Sequence, residues 1–301
     1  MLYHYVGDDA PPTMRDSAVP AGLFREQIAA LRKRYHFLTW PEYRQVMQDK
    51  KEAKQTLLLT FDDGFAASWQ AVQELASTLG IPSVFFVNTR TLDNAYLPWH
   101  MQFYFLRREA GEKFLEPLWK SVGKPPSAAD ARGHLHRQFS VGAVAGPIED
   151  GMKAYGMSPS DVAQRDRLFM ASADLKNRGD LIEIGNHSHS HYILSKLSDE
   201  ELDADFRSSH EALKQTLGVG PDCLAYPFGD PRVHFDSRCL DHLRRVDAYP
   251  HIFSAGPSPH DPAIQGYERH RSSFERIDPC DAAATASEVS PRFLQRWLAG
   301  K

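Results

Sequence analysis

Five residues, Thr60-Phe61-Asp62-Asp63-Gly64, constrain the fold of this 301-residue chain more than any other stretch. They follow Gln55-Thr56-Leu57-Leu58-Leu59, an uncharged and mostly apolar run. A short apolar run bounded by turn signals reads as a buried strand. Two adjacent carboxylates at its end stand at a core boundary, where an ionised group needs a partner or a metal. Gly64 then lets the chain turn away. A second reading stays open on these residues alone: a strand end followed by a helix, with Asp63 as its N-cap.

Residues 181–185 (Leu-Ile-Glu-Ile-Gly) read as another buried strand, running directly into Asn186-His187-Ser188-His189-Ser190-His191. His187 and His191 are four positions apart, so in a helical turn they would share one face and grip one ion. His189 would point elsewhere. A carboxylate at one strand end and two imidazoles at another make a facial set of three ligands with coordination positions left open, as catalytic metal sites have. A histidine-rich loop taken alone is weak evidence and leaves the reading of a solvated loop open.

The flanking pattern alternates strands and helices. Residues 2–6 read as a strand and 8–20, with three prolines, as a loop. Residues 23–35 and 40–47 read as helices. Residues 68–79 read as a helix stopped by Gly80, and 81–87 as a strand. Strand, helix, strand implies parallel strands with a right-handed crossover. After the histidines, Ser198-Asp199-Glu200-Glu201 is a capping box opening a helix to Leu217, with Leu202, Phe206, Leu213 and Leu217 as its buried stripe. Residues 223–226 read as a strand, 238–245 as a helix, 252–255 as the last clear strand and 291–298 as a terminal helix. Residues 91–175 break the alternation and read as a helical insertion. Helices are expected near 99–108, 114–122 and 160–173, with loops at 124–126 and 142–147. The aromatic stripe of the insertion reads as core or as a sugar platform.

An apolar fraction of 42% supports a sizeable core, and a net charge of −4 offers no case for nucleic acid or an electrostatically held membrane partner. No stretch approaches the ~20 apolar residues of a membrane span. Cys223, Cys239 and Cys280 are odd in number and lack C-x-x-C spacing, so they read as buried or free thiols in a reducing compartment. With no basic leader or long apolar segment at the start, the chain as given is expected to be cytoplasmic, export of a longer native chain aside.

The motifs resemble those of the polysaccharide deacetylase family, the NodB-homology deacetylases. T-F-D-D-G is matched identically by Thr60 to Gly64. H-[ST]-x-x-H is matched by His187, Ser188 and His191. A third motif ending in Pro, an aromatic and Gly is matched by Pro227-Phe228-Gly229. The resemblance covers roughly residues 1–90 and 180–275. It implies an α/β fold, a distorted or incomplete parallel (β/α) barrel in one catalytic domain over 1–301, with its chemistry at the C-terminal strand ends. It also implies a metal-dependent hydrolase removing N-acetyl groups from an acetylated amino sugar or polysaccharide. Asp63, His187 and His191 would hold the metal. Zinc is the first expectation, and cobalt, nickel or iron(II) would also suit the ligand set. Asp62 would be the general base and the Phe228 N–H an oxyanion donor, with Tyr226, Pro227 and Phe228 around the substrate.

Two departures bear on that implication. Many relatives carry Arg two residues before the third-motif proline, paired with the base; here that position is Ala225, and Arg269 or Arg271 could supply the charge. The late L-x-H motif carrying the general acid is also missing. Leu2-Tyr3-His4 fits the pattern at the opposite end of the chain. In a closed barrel the first and last strands are neighbours, so His4 becomes the expected general acid, as in exported relatives acting on poly-N-acetylglucosamine. The rival readings are hydrolysis of another amide (a formamide on a lipid-linked sugar, or a ureide) and a non-catalytic carbohydrate-binding relative.

Overall fold

The computed structural model describes residues 1–254 apart from 13, 15–17, 50–54, 231, 232, 247 and 248. The described strands are, in chain order, β1 (Leu2–Tyr3), β2 (Tyr5–Val6), β3 (Ala18–Val19), β4 (His36–Phe37), β5 (Thr56–Leu57), β6 (Thr60–Phe61), β7 (Ser83–Val87), β8 (Ile182–Asn186), β9 (Cys223–Ala225) and β10 (His251–Phe253). Six of them form one sheet in the order β1-β6-β7-β8-β9-β10. Every pairing in it is parallel. Parallel strands need crossovers, and the helices that provide them cover the sheet. The result is the expected α/β architecture, a curled and open half-barrel.

β7 is buried along its whole length, and Phe85 and Phe86 are core residues. Gly185 on β8 is required by close approach: a Cβ there would lie 2.3 Å from Phe86 Cδ1 and 2.9 Å from Cys223 Sγ. The helix Asp199–Leu217 starts as its sequence signal demands. Ser198 Oγ accepts from Glu201 N, the Glu201 carboxylate accepts from Ser198 N, and Gly218 ends the helix at φ +78°. Cys223 and Cys239 are buried and free. Among the described residues, no helix is long and apolar enough to cross a membrane.

Several local expectations need correction. The single strand expected over 2–6 is broken at His4, with β1 pairing β6 and β2 pairing β3. Ser68 explains the break: its Oγ donates to His4 O (2.6 Å) and accepts from Val6 N (2.9 Å), so a helix side chain replaces a ladder partner. The run before the aspartates is likewise divided, with β5 pairing β4 and the main sheet resuming at Thr60. Nor does the sheet close: among the described residues, β1 and β10 are its two edges. Residues 142–147 are helical. Ser140 Oγ accepts from Ala143 N, and the wide turn Val141–Ala145 runs into the helix Gly146–Tyr155 with proline in its first turn. The glycines there serve packing, for a Cβ on Gly151 would meet Phe114 O at 2.2 Å. The helix expected over 160–173 stops at Asp166, and a short second helix follows at Ser172–Lys176. The expected helix at 291–298 lies outside the described residues, as do Arg269, Arg271 and Cys280.

The insertion lies between β7 and β8 and packs as core. Trp99, Met101, Phe103 and Phe105 of the helix Trp99–Phe105 are buried in one apolar cluster with Leu202, Phe206, Leu224 and Tyr226. The aromatic stripe is therefore packing surface.

Candidate metal centre

Sheet register brings the motifs to one rim. Tyr3 pairs with Phe61, Phe61 with Phe85, Phe85 with Ile184 and Asn186 with Leu224. The residues just beyond these C-terminal strand ends are His4, Asp62 and Asp63, His187 and Tyr226. His4 arrives by a route other than barrel closure. β1 lies directly beside β6, and Asp62 N donates to Tyr3 O at 3.0 Å, so His4 follows a strand that is neighbour to the aspartates.

Asp63 does not cap a helix. The following helix, Ala66–Glu74, has Phe65 at its N-cap. Asp63 instead sits at φ +72°, ahead of Gly64 at φ +76°, and turns its carboxylate toward the histidines. Oδ1 lies 3.0 Å from His191 Nε2 and 3.3 Å from His187 Nε2, and neither contact has hydrogen-bond geometry. Asp62 Oδ2 lies 3.7 Å from His187 Nε2. One donor atom each from Asp63, His187 and His191 falls within 4.8 Å of the others, and all three residues are buried. A buried carboxylate oxygen and two imidazole nitrogens that face one another without bonding suit a cation between them. Burial alone would raise the Asp63 carboxyl. The opposing charge of His191, then contacts with His187 and His191 and the charge at His4, hold it well below the usual range.

The His187 imidazole is oriented from behind. His187 Nδ1 lies 2.8 Å from Ala225 O, so Nδ1–H donates and Nε2 keeps its lone pair for the site. The second-motif loop is not helical. Ser188 (φ +69°) and His191 (φ +52°) are left-handed, and this turn brings the two rings to a centroid separation of 5.0 Å. Non-glycine residues in this region cost ~1–3 kcal/mol each and persist where their surroundings over-determine them. The backbone partners here are numerous. Ser188 N donates to Asn186 Oδ1, and His191 N to Ser188 Oγ. His189 N and Ser190 N donate to the two carboxylate oxygens of Asp205, each at 2.9 Å. Trp99 Nε1 donates to His191 O at 3.2 Å. Burial pushes the Asp205 carboxyl up, and those two N–H donors oppose it.

The third-motif residues part company. Tyr226 is buried and stacked on Phe235 at 4.1 Å, and Pro227 is buried. Phe228 is half-buried, left-handed (φ +60°), and stands 4.7 Å from the His191 ring. No described residue accepts its N–H.

The insertion supplies neighbours that motif reasoning passed over. His100 lies 4.9 Å from the His191 ring and 5.4 Å from Phe228. His136 lies 4.8 Å and His234 5.1 Å from Phe228. Burial, followed by the charge at His191, holds His100 well below its ordinary value. Asp205 had a readable signal, a carboxylate on the buried stripe with Leu202, Phe206 and Leu213. His100, His136 and His234 had none. A separate cavity of about 840 Å³, flanked by Phe24, Ile28, Ala67 and Leu75, touches none of these groups.

Residues 171–248 match the family model described as polysaccharide deacetylase. The matched residues carry the second and third motifs that resemble those of the polysaccharide deacetylase family. No curated protein matches it. Among solved structures it is similar to a deacetylase, PplD, from Streptococcus pyogenes (TM-score 0.57, 14% identity, 96% of each chain covered). It is also similar to a de-N-acetylase from Aggregatibacter actinomycetemcomitans (TM-score 0.55, 14% identity, 93% of this chain and 94% of that one). IcaB from Ammonifex degensii is a third (TM-score 0.54, 16% identity, 96% and 94%). At these identities the likeness is one of fold, and it extends over nearly the whole of each chain compared.

Proposed function

We propose that the chain is a metal-dependent hydrolase that removes N-acetyl groups from an acetylated amino sugar or polysaccharide. The observation that carries this reading is the convergence of Asp63, His187 and His191 on one point, with Asp62 alongside. A divalent ion held there, zinc first among those the ligands suit, would polarise the amide carbonyl and acidify the attacking water when bound. Asp62 is left to accept that water's proton, since Asp63 is turned to the histidines. The Phe228 N–H donates to the oxygen of the tetrahedral oxyanion. His4 gives a proton to the departing nitrogen as the C–N bond breaks, leaving acetate and a free amine. The Ala225 carbonyl, where many relatives carry an arginine side chain, orients His187 through its Nδ1–H.

The deciding experiment measures bound metal and acetate release from N-acetylated amino-sugar oligomers for wild type and Asp63→Ala. Stoichiometric metal with acetate release, both lost in the variant, supports the reading. Metal without acetate release on any oligomer points to another amide or to a binding role. No metal in either protein after soaking with zinc overturns the ligand assignment.

A further inference from the structure

Phe228 and Gly229 are consecutive left-handed residues, at φ +60° and +72°, in the loop that carries the proposed oxyanion donor. A non-glycine residue held there needs surroundings that leave it no alternative. Those surroundings are four imidazoles and, at 6.1 Å, the Trp99 indole. The Phe228 ring lies 4.7 Å from His191, 4.8 Å from His136, 5.1 Å from His234 and 5.4 Å from His100. His136 stands on the insertion helix Ala131–Gln138, and His234 lies just beyond the loop.

These two histidines are joined, and the direction of their bond follows from the backbone. Asp230 N can only donate, and it lies 3.1 Å from His234 Nδ1, so that nitrogen is the acceptor. The proton of a neutral His234 ring is therefore on Nε2, which lies 2.9 Å from His136 Nδ1. His136 Nδ1 must accept, and its own proton is on Nε2. A proton added at either Nδ1 would face another N–H. Burial agrees with neutrality, lowering His136 to about 3 and His234 to about 4. His234 is itself tied down: its N–H donates to Asp230 O at 2.8 Å, and its carbonyl accepts from Ser195 N at 3.0 Å.

We propose that the His136–His234 hydrogen bond is a strap by which the insertion holds the Phe228 loop in its left-handed form, making both histidines positioning residues for the oxyanion donor. The catalytic half of this statement rests on the deacetylase reading; the structural half stands without it. A donor aimed at charge that develops only in the transition state affects kcat, with KM little changed.

Three substitutions separate the strap from mere packing. His136→Phe keeps a ring against Phe228 and loses the acceptor. His136→Asn keeps an acceptor near the position of Nδ1. His234→Asn keeps an acceptor for Asp230 N–H and loses the donor to His136. Amide hydrogen exchange over residues 226–230 is expected to be ~10-fold faster in His136→Phe and His234→Asn, and within ~3-fold of wild type in His136→Asn. On an oligomer that wild type deacetylates, the first two should lose ~10–100-fold in kcat with KM within ~3-fold, and His136→Asn should recover most of it. Unchanged exchange in His234→Asn, or exchange in His136→Asn as fast as in His136→Phe, overturns the strap. His234→Asn decides the matter if His136→Phe does not fold. Altered exchange with unaltered kcat overturns the catalytic half. Wild type without acetate release overturns the deacetylase reading and the catalytic half with it, while exchange still decides the strap.

Discussion

Asp63, His187 and His191 stand beyond the ends of parallel strands, whereas Trp99, His100 and His136 reach the same place from helices inserted between β7 and β8. The strand-end groups supply the donor atoms that face one another. The inserted groups hold other groups: Trp99 takes the His191 carbonyl, and His136 takes His234. The sheet fixes where reactive side chains emerge, because register leaves each strand end one position. The helices have no such register and act through single side-chain contacts. The difference teaches that removing a strand-end group should abolish a step, and removing an inserted one should degrade a geometry.

The largest effects are expected on the strand ends. Asp62→Asn and His4→Ala should each lower turnover by roughly 10²–10⁴ while bound metal, measured by elemental analysis, stays at the wild-type ratio. Wild-type turnover in His4→Ala would remove it as the acid, and loss of metal from either variant would break the division between ligands and proton-transfer groups. Support of the ligand loop should matter less. Asp205→Asn leaves one of two N–H groups facing an amide nitrogen, and ~10–100-fold weaker metal binding in a chelator competition is expected. Trp99→Phe loses one neutral hydrogen bond to His191 O, and a loss of only ~2–10-fold is expected by the same assay. If Trp99→Phe equals Asp63→Ala, the contrast between the two regions fails.

The smallest effect is in stability against pH. Burial lowers His136 to about 3, with the charges of His234, Arg132 and His191 adding to it. Burial lowers His234 to about 4, with Asp230 opposing. In the unfolded chain both titrate near ~6.5. Between the folded and unfolded values the unfolded chain binds more protons, so stability rises with pH. The contribution is complete above ~6.5 and is lost as pH falls toward the folded values. The melting temperature should therefore drop between pH 7 and pH 4.5, and His136→Asn should flatten that drop. An equal slope in the variant would mean that other groups carry the dependence.

How much of the site could be read beforehand follows the same division. The strand-end carboxylates and histidines sit in contiguous motifs beside uncharged runs, and both their burial and their place on the rim follow from that pattern. The loop geometry did not: His187 and His191 converge through left-handed residues in a turn, where spacing alone suggested a helical face. Tyr226, a candidate for the substrate wall, is buried and stacked on Phe235, a partner nine positions away that no motif names. The glycines of residues 142–151 looked like a loop and are helical packing contacts, a distinction set by what lies opposite them.

The sequence by itself determined the family motifs, the parallel α/β architecture, and the identity and strand-end position of Asp62, Asp63, His187 and His191. It could do so because buried strands and capped helices are encoded by neighbours within a few residues. Only the tertiary structure decided that β1 pairs with β6, bringing His4 to the aspartates, and that Asp205, Trp99, His136 and His234 fix the loops of the site. Trp99 and His191 are 92 residues apart and His136 and His234 are 98 apart. No local period spans such distances; those contacts exist because the insertion buries its apolar helices against the same core that carries the strands.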